Sequence, residues 1–147
     1  MVSATLDTNI YVSALQYFGA GARLLGMARA GMIRVDVSDA IVNETVHVLR
    51  DKFAWSGERL QEAKRQIASF TNLVKPSHTL DVIKEDPDDN RVLECAQTAG
   101  SDFVVSEDKD LLRLLMFGGA PIVRTAEFLE RLIERPSGQE PRKQVDQ

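Results

Sequence analysis

Short apolar runs alternate with segments of helical periodicity along most of this chain, and that alternation restricts its fold more than any other feature. Val2-Ser-Ala-Thr-Leu-Asp7 reads as a strand with Asp7 at its end, and Ile10 to Gln16 as helix. Apolar Ala22, Leu24, Leu25, Met27 and Ala28 predict a second helix closed by Gly31, before a strand over Ile33-Arg-Val-Asp-Val37. Ser38 and Asp39 offer N-caps for a helix from Ala40 to Phe53, and Ser56-Gly57 marks a break before a charged helix to about Phe70. Leu73-Val-Lys75 fits a short strand, the stretch from Pro76 to Pro87 a loop, and Asp88 to Ala99 a helix stopped by Gly100. Phe103-Val-Val105 reads as a buried strand, followed by a helix through Leu111 to Met116, a last strand at Ile122-Val123 and a helix over Ala126 to Arg135. Strands separated by helices imply a parallel sheet covered on both faces. The expected class is therefore α/β, a three-layer α/β/α sandwich of about four to five strands.

A length of 147 residues with 44% hydrophobic content fits one domain, expected over residues 1–135. The polar, patternless stretch 136–147 is expected to be a disordered tail. No basic start precedes an apolar run, and no apolar run approaches a membrane span, so the chain is expected to be cytoplasmic, with no membrane partner. The lone Cys95 has no partner for an internal disulfide and receives no catalytic role. The net charge of −4 argues against holding nucleic acid on a general basic surface, so such a partner needs bound cations or a local patch.

In an open parallel sheet, ligands bind beyond the carboxyl ends of the strands. Four of the predicted exits there deliver an acid: Asp7 after the first strand, Glu44 in the helix after the second, Asp88 and Asp89 opening a later helix, and Asp108 and Asp110 after Val105. Glu44 lies three residues after Ile41 and four before Val48, which places it on their apolar stripe, where a carboxylate wants a cation. Asp89 shares a face with Val92 and Ala96, whereas Asp88 and Asn90 are rotated away, so Asp89 is read as inward and Asp88 as a cap. Carboxylates converging in one crevice repel unless a divalent ion neutralises them. Oxygen donors without a cysteine cluster or histidine pair select Mg²⁺ or Mn²⁺ over Zn²⁺.

Leu6-Asp-Thr-Asn-Ile10, Glu44 within Val42-Asn-Glu-Thr-Val46, Asp86-Pro-Asp-Asp-Asn90 and Val104-Val-Ser-Glu-Asp-Lys-Asp-Leu111 together resemble the PIN domain, over roughly residues 3 to 130. The chain is most similar to the bacterial PIN group of toxins from toxin–antitoxin pairs, relatives of VapC-type endoribonucleases. That resemblance implies Asp7, Glu44, Asp89 and Asp108 as catalytic, metal-binding acids, Asn9 and Ser106 as supporting polar residues, and Asp110 as an outer or fifth acid. It further implies RNA cleavage by a metal-activated water, leaving a 5′-phosphate and a 3′-hydroxyl, often in a homodimer. A toxin would be held inactive by a small antitoxin protein that inserts a basic or bulky side chain into the crevice. The loop from Pro76 to Pro87 and its acidic run depart from the shorter acidic element of typical VapC toxins.

Blander readings compete residue by residue. Asp7 beside Thr8 and Asn9 fits a turn, and Asp89 and Asp108 fit N-caps, a role compatible with metal binding. His47 and His78 read as structural, and Trp55 as helix-end packing rather than a base-stacking ring. Arg23, Arg29, Arg34, Arg50 and Lys52 offer an RNA path, but dispersed charges are more often a solvated surface. Two other functions are weighed: a PIN-like module that binds RNA or protein without cutting, and a Mg²⁺-dependent phosphatase or receiver-like domain. The latter needs an acidic neighbour beside the first aspartate, which Asp7-Thr-Asn lacks, and leaves Glu44 unexplained. Nothing in the residues separates RNA from single-stranded DNA, because a metal site recognises phosphate.

Overall fold

The computed structural model describes residues 1–134, so the expected tail at 136–147 lies outside the described residues, as does the last residue of the expected domain. Strands β1 (Ser3–Leu6), β2 (Arg34–Ser38), β3 (Thr71–Val74), β4 (Phe103–Val105), β5 (Met116–Phe117) and β6 (Ala120–Val123) form one sheet in the order β3-β2-β1-β4-β6-β5. Every pairing is parallel except that of β5 with β6. Helices α1 (Thr8–Gln16), α2 (Ala20–Arg29), α3 (Asp39–Phe53), α4 (Gly57–Phe70), α5 (Pro87–Ala99), α6 (Lys109–Leu112) and α7 (Thr125–Ile133) fill the intervals. This is the α/β sandwich expected from the alternation.

All of β1 and all of β2 after Arg34 are buried, as a sheet covered on both faces requires. Register then sorts the faces. Thr5 stands beside Asp36 and Val104, and it meets Cys95 and Ser101 on the α5 side. Ala4 stands beside Val35 and Phe103, whose ring packs edge-on against Phe128 of α7 at 5.2 Å between centroids. Buried Asp36 accepts from Arg34, Asn72 and Ser101, so the charge in the sheet is paired and fully bonded. Cys95 is likewise buried, and that burial pushes its thiol up to about 12.

Several local signals act as expected. The Ser38 side chain caps α3 by accepting from Ile41, Ser56 caps α4 by accepting from Arg59, and Gly100 ends α5 at φ +66°. Trp55 packs in a small cluster with Val12, Leu49 and Leu60, beneath the Arg59 guanidinium 3.8 Å from its ring. One element differs. The helix expected through Met116 ends at Leu112, and Met116–Phe117 turns back through Gly118 (φ +59°) and Gly119 (φ +85°) to pair with Ala120 and Pro121. Two consecutive glycines with positive φ permit the tight hairpin turn that other residues resist.

The chain runs from β1 outward through β2 to β3 and then returns to the far side of β1 to place β4. The sheet therefore reverses its winding between β1 and β4, and the crevice at their carboxyl ends is where such folds hold ligands.

Candidate metal centre

Asp7 follows the last residue of β1, its N–H continuing the ladder to the carbonyl of Val105 at 2.9 Å. It stands at the N-terminus of α1, yet its side chain accepts no capping bond from that helix. Instead its Oδ2 accepts from the Ser106 hydroxyl at 2.7 Å. Ser106 lies one residue beyond β4, is wholly buried, and its Oγ also accepts from the N–H of Asp108 at 2.9 Å. One hydroxyl thus ties the exits of the two central strands and fixes the positions of two acids. Asp108 caps α6 as the blander reading foresaw, its Oδ1 accepting from Asp110 at 2.8 Å.

The third acid arrives on α5. Asp86 caps this helix by accepting from the N–H of Asp88, and Pro87 opens it. The cap expected at Asp88 is therefore supplied two residues earlier, and Asp88 is exposed. Asp89 falls inward with Val92 and Ala96, 4% exposed, as its helical phase predicts. Asn90, expected to rotate away, is also buried, at 1%. Its carbonyl oxygen accepts from the N–H groups of Val82 and Ile83 at 2.9 and 2.8 Å, and its amide nitrogen donates to the carbonyls of Ile83 and Pro87. Glu94 accepts from Leu80 and from Arg91, which also donates to the Leu80 carbonyl. The loop before α5 is thus fastened to that helix by its own side chains.

Asp7, Asp89 and Asp108 each offer a carboxylate oxygen, and these oxygens lie within 4.8 Å of one another. Burial raises the Asp7 carboxyl against the Ser106 bond that lowers it, and Asp108 and Asp86 raise it further. Asp89 is pushed up to about 8 by burial first, then by the charges of Asp108, Asp7 and Asp86, and by a hydrogen bond to Asp108 that favours its protonated form. Among the described residues the buried Oδ2 of Asp89 has no hydrogen-bond partner. An orphaned carboxylate oxygen on one of three converging acids, which together offer only oxygen donors, fits a hard divalent cation. The residues present can therefore hold a metal.

The structure brings together three of the four expected acids. Glu44 stands apart from that cluster, half-buried on the wall of an adjoining cavity of about 400 Å³, which Thr8, Asp88 and Arg91 also line. The buried stripe of α3 runs through Ile41, Thr45 and Leu49, so Glu44 flanks it rather than lying on it. Burial and the charge of Asp88 raise the Glu44 carboxyl, opposed by His47. Asp110, 18% exposed, pairs with Arg113 at 3.2 Å, and Asn9 is exposed in the first turn of α1. Arg29, Arg34 and Arg50 of the considered RNA path lie over Phe70 and against Asp36 and Asp51 respectively. Sequence reading missed Asp86, whose charge reaches Asp7, Glu44 and Asp89 alike, although an aspartate before a proline at a helix start signals a cap.

The family model described as PIN domain matches residues 3–110. No curated protein matches the chain. Among solved structures, VapBC2 from Rickettsia felis bound to a DNA fragment from their promoter is similar at a TM-score of 0.60 and 13% identity, over 84% of this chain and 98% of that one. PAE2754 from Pyrobaculum aerophilum is similar at a TM-score of 0.57 and 17% identity, over 91% of each chain. At these identities the two structures speak to the fold, and the matched span contains Asp7, Glu44, Asp89, Asp108 and Asp110.

Proposed function

This chain belongs to the PIN-domain family, and from that premise we propose that it is a Mg²⁺- or Mn²⁺-dependent endoribonuclease acting as the toxin of a toxin–antitoxin pair. The observation that carries the reading is the trio of Asp7, Asp89 and Asp108 with an orphaned oxygen on Asp89. PIN domains are generally nucleases. The fold likeness to VapBC2, a two-component assembly by its name, supports a small antitoxin as partner. A homodimer in the cytoplasm belongs to the same reading.

Asp7, Asp89 and Asp108 would hold the cation, and Glu44 would add a further acid from α3 across the adjoining cavity. A divalent ion there supplies Lewis acidity toward the phosphodiester, a lowered pKa for attacking water and charge stabilisation for the departing oxygen. The protein contributes position. Ser106 holds one oxygen of Asp7 and so leaves the other to the centre, while Asp86 and Asn90 fix the first turn of α5 beneath Asp89. The same cation offsets the negative charge that would otherwise repel a nucleic-acid backbone.

Labelled single-stranded RNA, with matched DNA as control, is incubated with the protein in EDTA, Mg²⁺ or Mn²⁺, alongside folded Asp7→Asn and Asp89→Asn variants. The proposal expects cleavage that requires the metal and falls at least about a hundredfold in each variant. Cleavage unchanged by EDTA, or retained by both variants, removes these acids from the chemistry. No cleavage of several RNAs together with no metal-induced thermal shift removes the enzyme assignment.

A further inference from the structure

We propose that the cavity between α3 and α5 is a nucleoside subsite that receives the residue of the RNA strand adjoining the cut phosphate. The inference rests on the ribonuclease reading above, since the strand must be drawn to the acids. Position comes first. The cavity is lined by Thr8 and Asp88, the direct chain neighbours of Asp7 and Asp89, so it opens beside the acidic trio. A strand whose phosphate lies on those acids has its next nucleoside within reach of the cavity.

Size and lining agree with that occupant. A volume of about 400 Å³ falls within the span of small-ligand sites. Ala40 supplies exposed apolar surface over the buried Ile41, and Asn43 supplies an exposed amide with both a donor and an acceptor. Bases of single-stranded RNA are read by such groups on their edges, with their faces laid on apolar or planar side chains. His47 lines the cavity while its Nε2 meets Asp51 at 3.1 Å and its Nδ1 meets Arg50 at 3.1 Å. Both ring nitrogens are engaged, so the ring is held and offers the cavity a planar surface rather than a proton.

Arg91 completes the set as the one permanent cation of the lining. Its Nη2 is anchored by Glu94 and the Leu80 carbonyl, which fixes the guanidinium, and its buried Nε has no partner among the described residues. In a chain with net charge −4, an anchored arginine on the cavity wall, across which Glu44 and Asp88 also stand, is the local cation that a sugar-phosphate linkage needs.

The test titrates the intact protein, with Mg²⁺ present, with the four nucleoside 5′-monophosphates while following the Asn43 side-chain amide and Arg91 Nε–H signals by NMR. Those signals are expected to shift saturably, and Asn43→Ala is expected to weaken at least one nucleotide about tenfold, the scale of one lost base-edge pair. His47→Ala gives a second variant, with similar weakening across all four nucleotides, because stacking does not read sequence. In RNA cutting, Asn43→Ala should flatten the base preference beside the cut by a like factor. The proposal is overturned if no nucleotide moves either signal, or if both variants bind as the wild type does. It is equally overturned if only a basic peptide occupies the cavity, which would make it a protein-docking site. RNA cleavage with silent Asn43 signals removes the subsite and keeps the nuclease, and nucleotide binding without cleavage does the reverse.

Discussion

Asp89 concentrates the electrostatic tension of the centre at one atom pair. Its carboxyl titrates near 3.8 in an unfolded chain and near 8 in the folded one. Between those values the folded state keeps a proton that the unfolded state has released, so stability falls as pH rises through this window and levels off outside it. Asp89→Asn mimics the protonated form at every pH. In chelator, its melting temperature at pH 8 should exceed that of the wild type by at least about 5 °C, at about 2–4 °C per kcal/mol for a chain of this size, and the two should converge near pH 4. Calorimetric scans across that range decide it. A wild-type profile parallel to that of the variant would mean that Asp89 is ionised at no cost. In the proposed centre the same substitution removes a metal ligand, so the variant that is more stable without metal is expected to be the inactive one, a trade seen where binding sites hold like charges together.

At the scale of elements, the first turn of α5 and the loop before it form one unit joined by Asn90. Asn90→Ala leaves the N–H groups of Val82 and Ile83 and the carbonyls of Ile83 and Pro87 without this partner, at a cost of about 2–3 kcal/mol. Because Asp89 adjoins Asn90, the Mn²⁺ concentration for half-maximal thermal stabilisation should also rise at least tenfold. Ile67→Ala in α4, an element that carries no acid of the centre, should cost at least as much stability and leave that concentration unchanged. Equal metal dependence in both variants would reduce Asn90 to a structural role.

The β5–β6 hairpin offers a contrast, since Gly118→Val at φ +59° should cost about 1–2 kcal/mol in urea unfolding and leave the metal response intact. These two places are also where the sequence is least legible. Alternation of strands and helices, and an acid beyond four of the strands, are periodic or positional signals, and they single out Asp7, Asp89 and Asp108, whose oxygens the fold brings within 4.8 Å of one another. The partners of Asn90 lie in a loop without periodicity, so nothing in the pattern shows that an amide one step from Asp89 faces inward. Glu44 lies beside the expected stripe for another reason: spacing fixes its helical phase only to within one residue, enough to separate a buried stripe from its flank. The hairpin leaves no periodic signal and a single local one, the consecutive glycines at 118 and 119 that argue against continuing a helix.

For the whole molecule, the proposed centre links fold stability, protonation and metal binding through the same three carboxylates. A cation that binds only the folded state stabilises it by RT ln(1 + [L]/Kd), about 2.7 kcal/mol at a hundredfold excess over Kd. Binding requires ionised ligands, so below pH 8 the metal must displace the proton held by Asp89. The thermal shift produced by a fixed concentration of Mn²⁺ should therefore be largest near pH 8 and shrink steadily toward pH 5, opposite to the trend of the metal-free protein. Isothermal titration at pH 6.5 in two buffers of different ionisation enthalpy should give different apparent enthalpies, from which the number of protons released is obtained, with a value near one expected. A pH-independent shift with no proton release would place the cation away from Asp89 and would detach the raised carboxyl from metal binding. The predicted coupling also sets the working range of the molecule: the burial and like charges that raise the Asp89 carboxyl and weaken the metal-free fold as pH rises are what a bound cation would relieve, and through the cation the approach of a phosphate backbone to a chain with net charge −4 would be favoured.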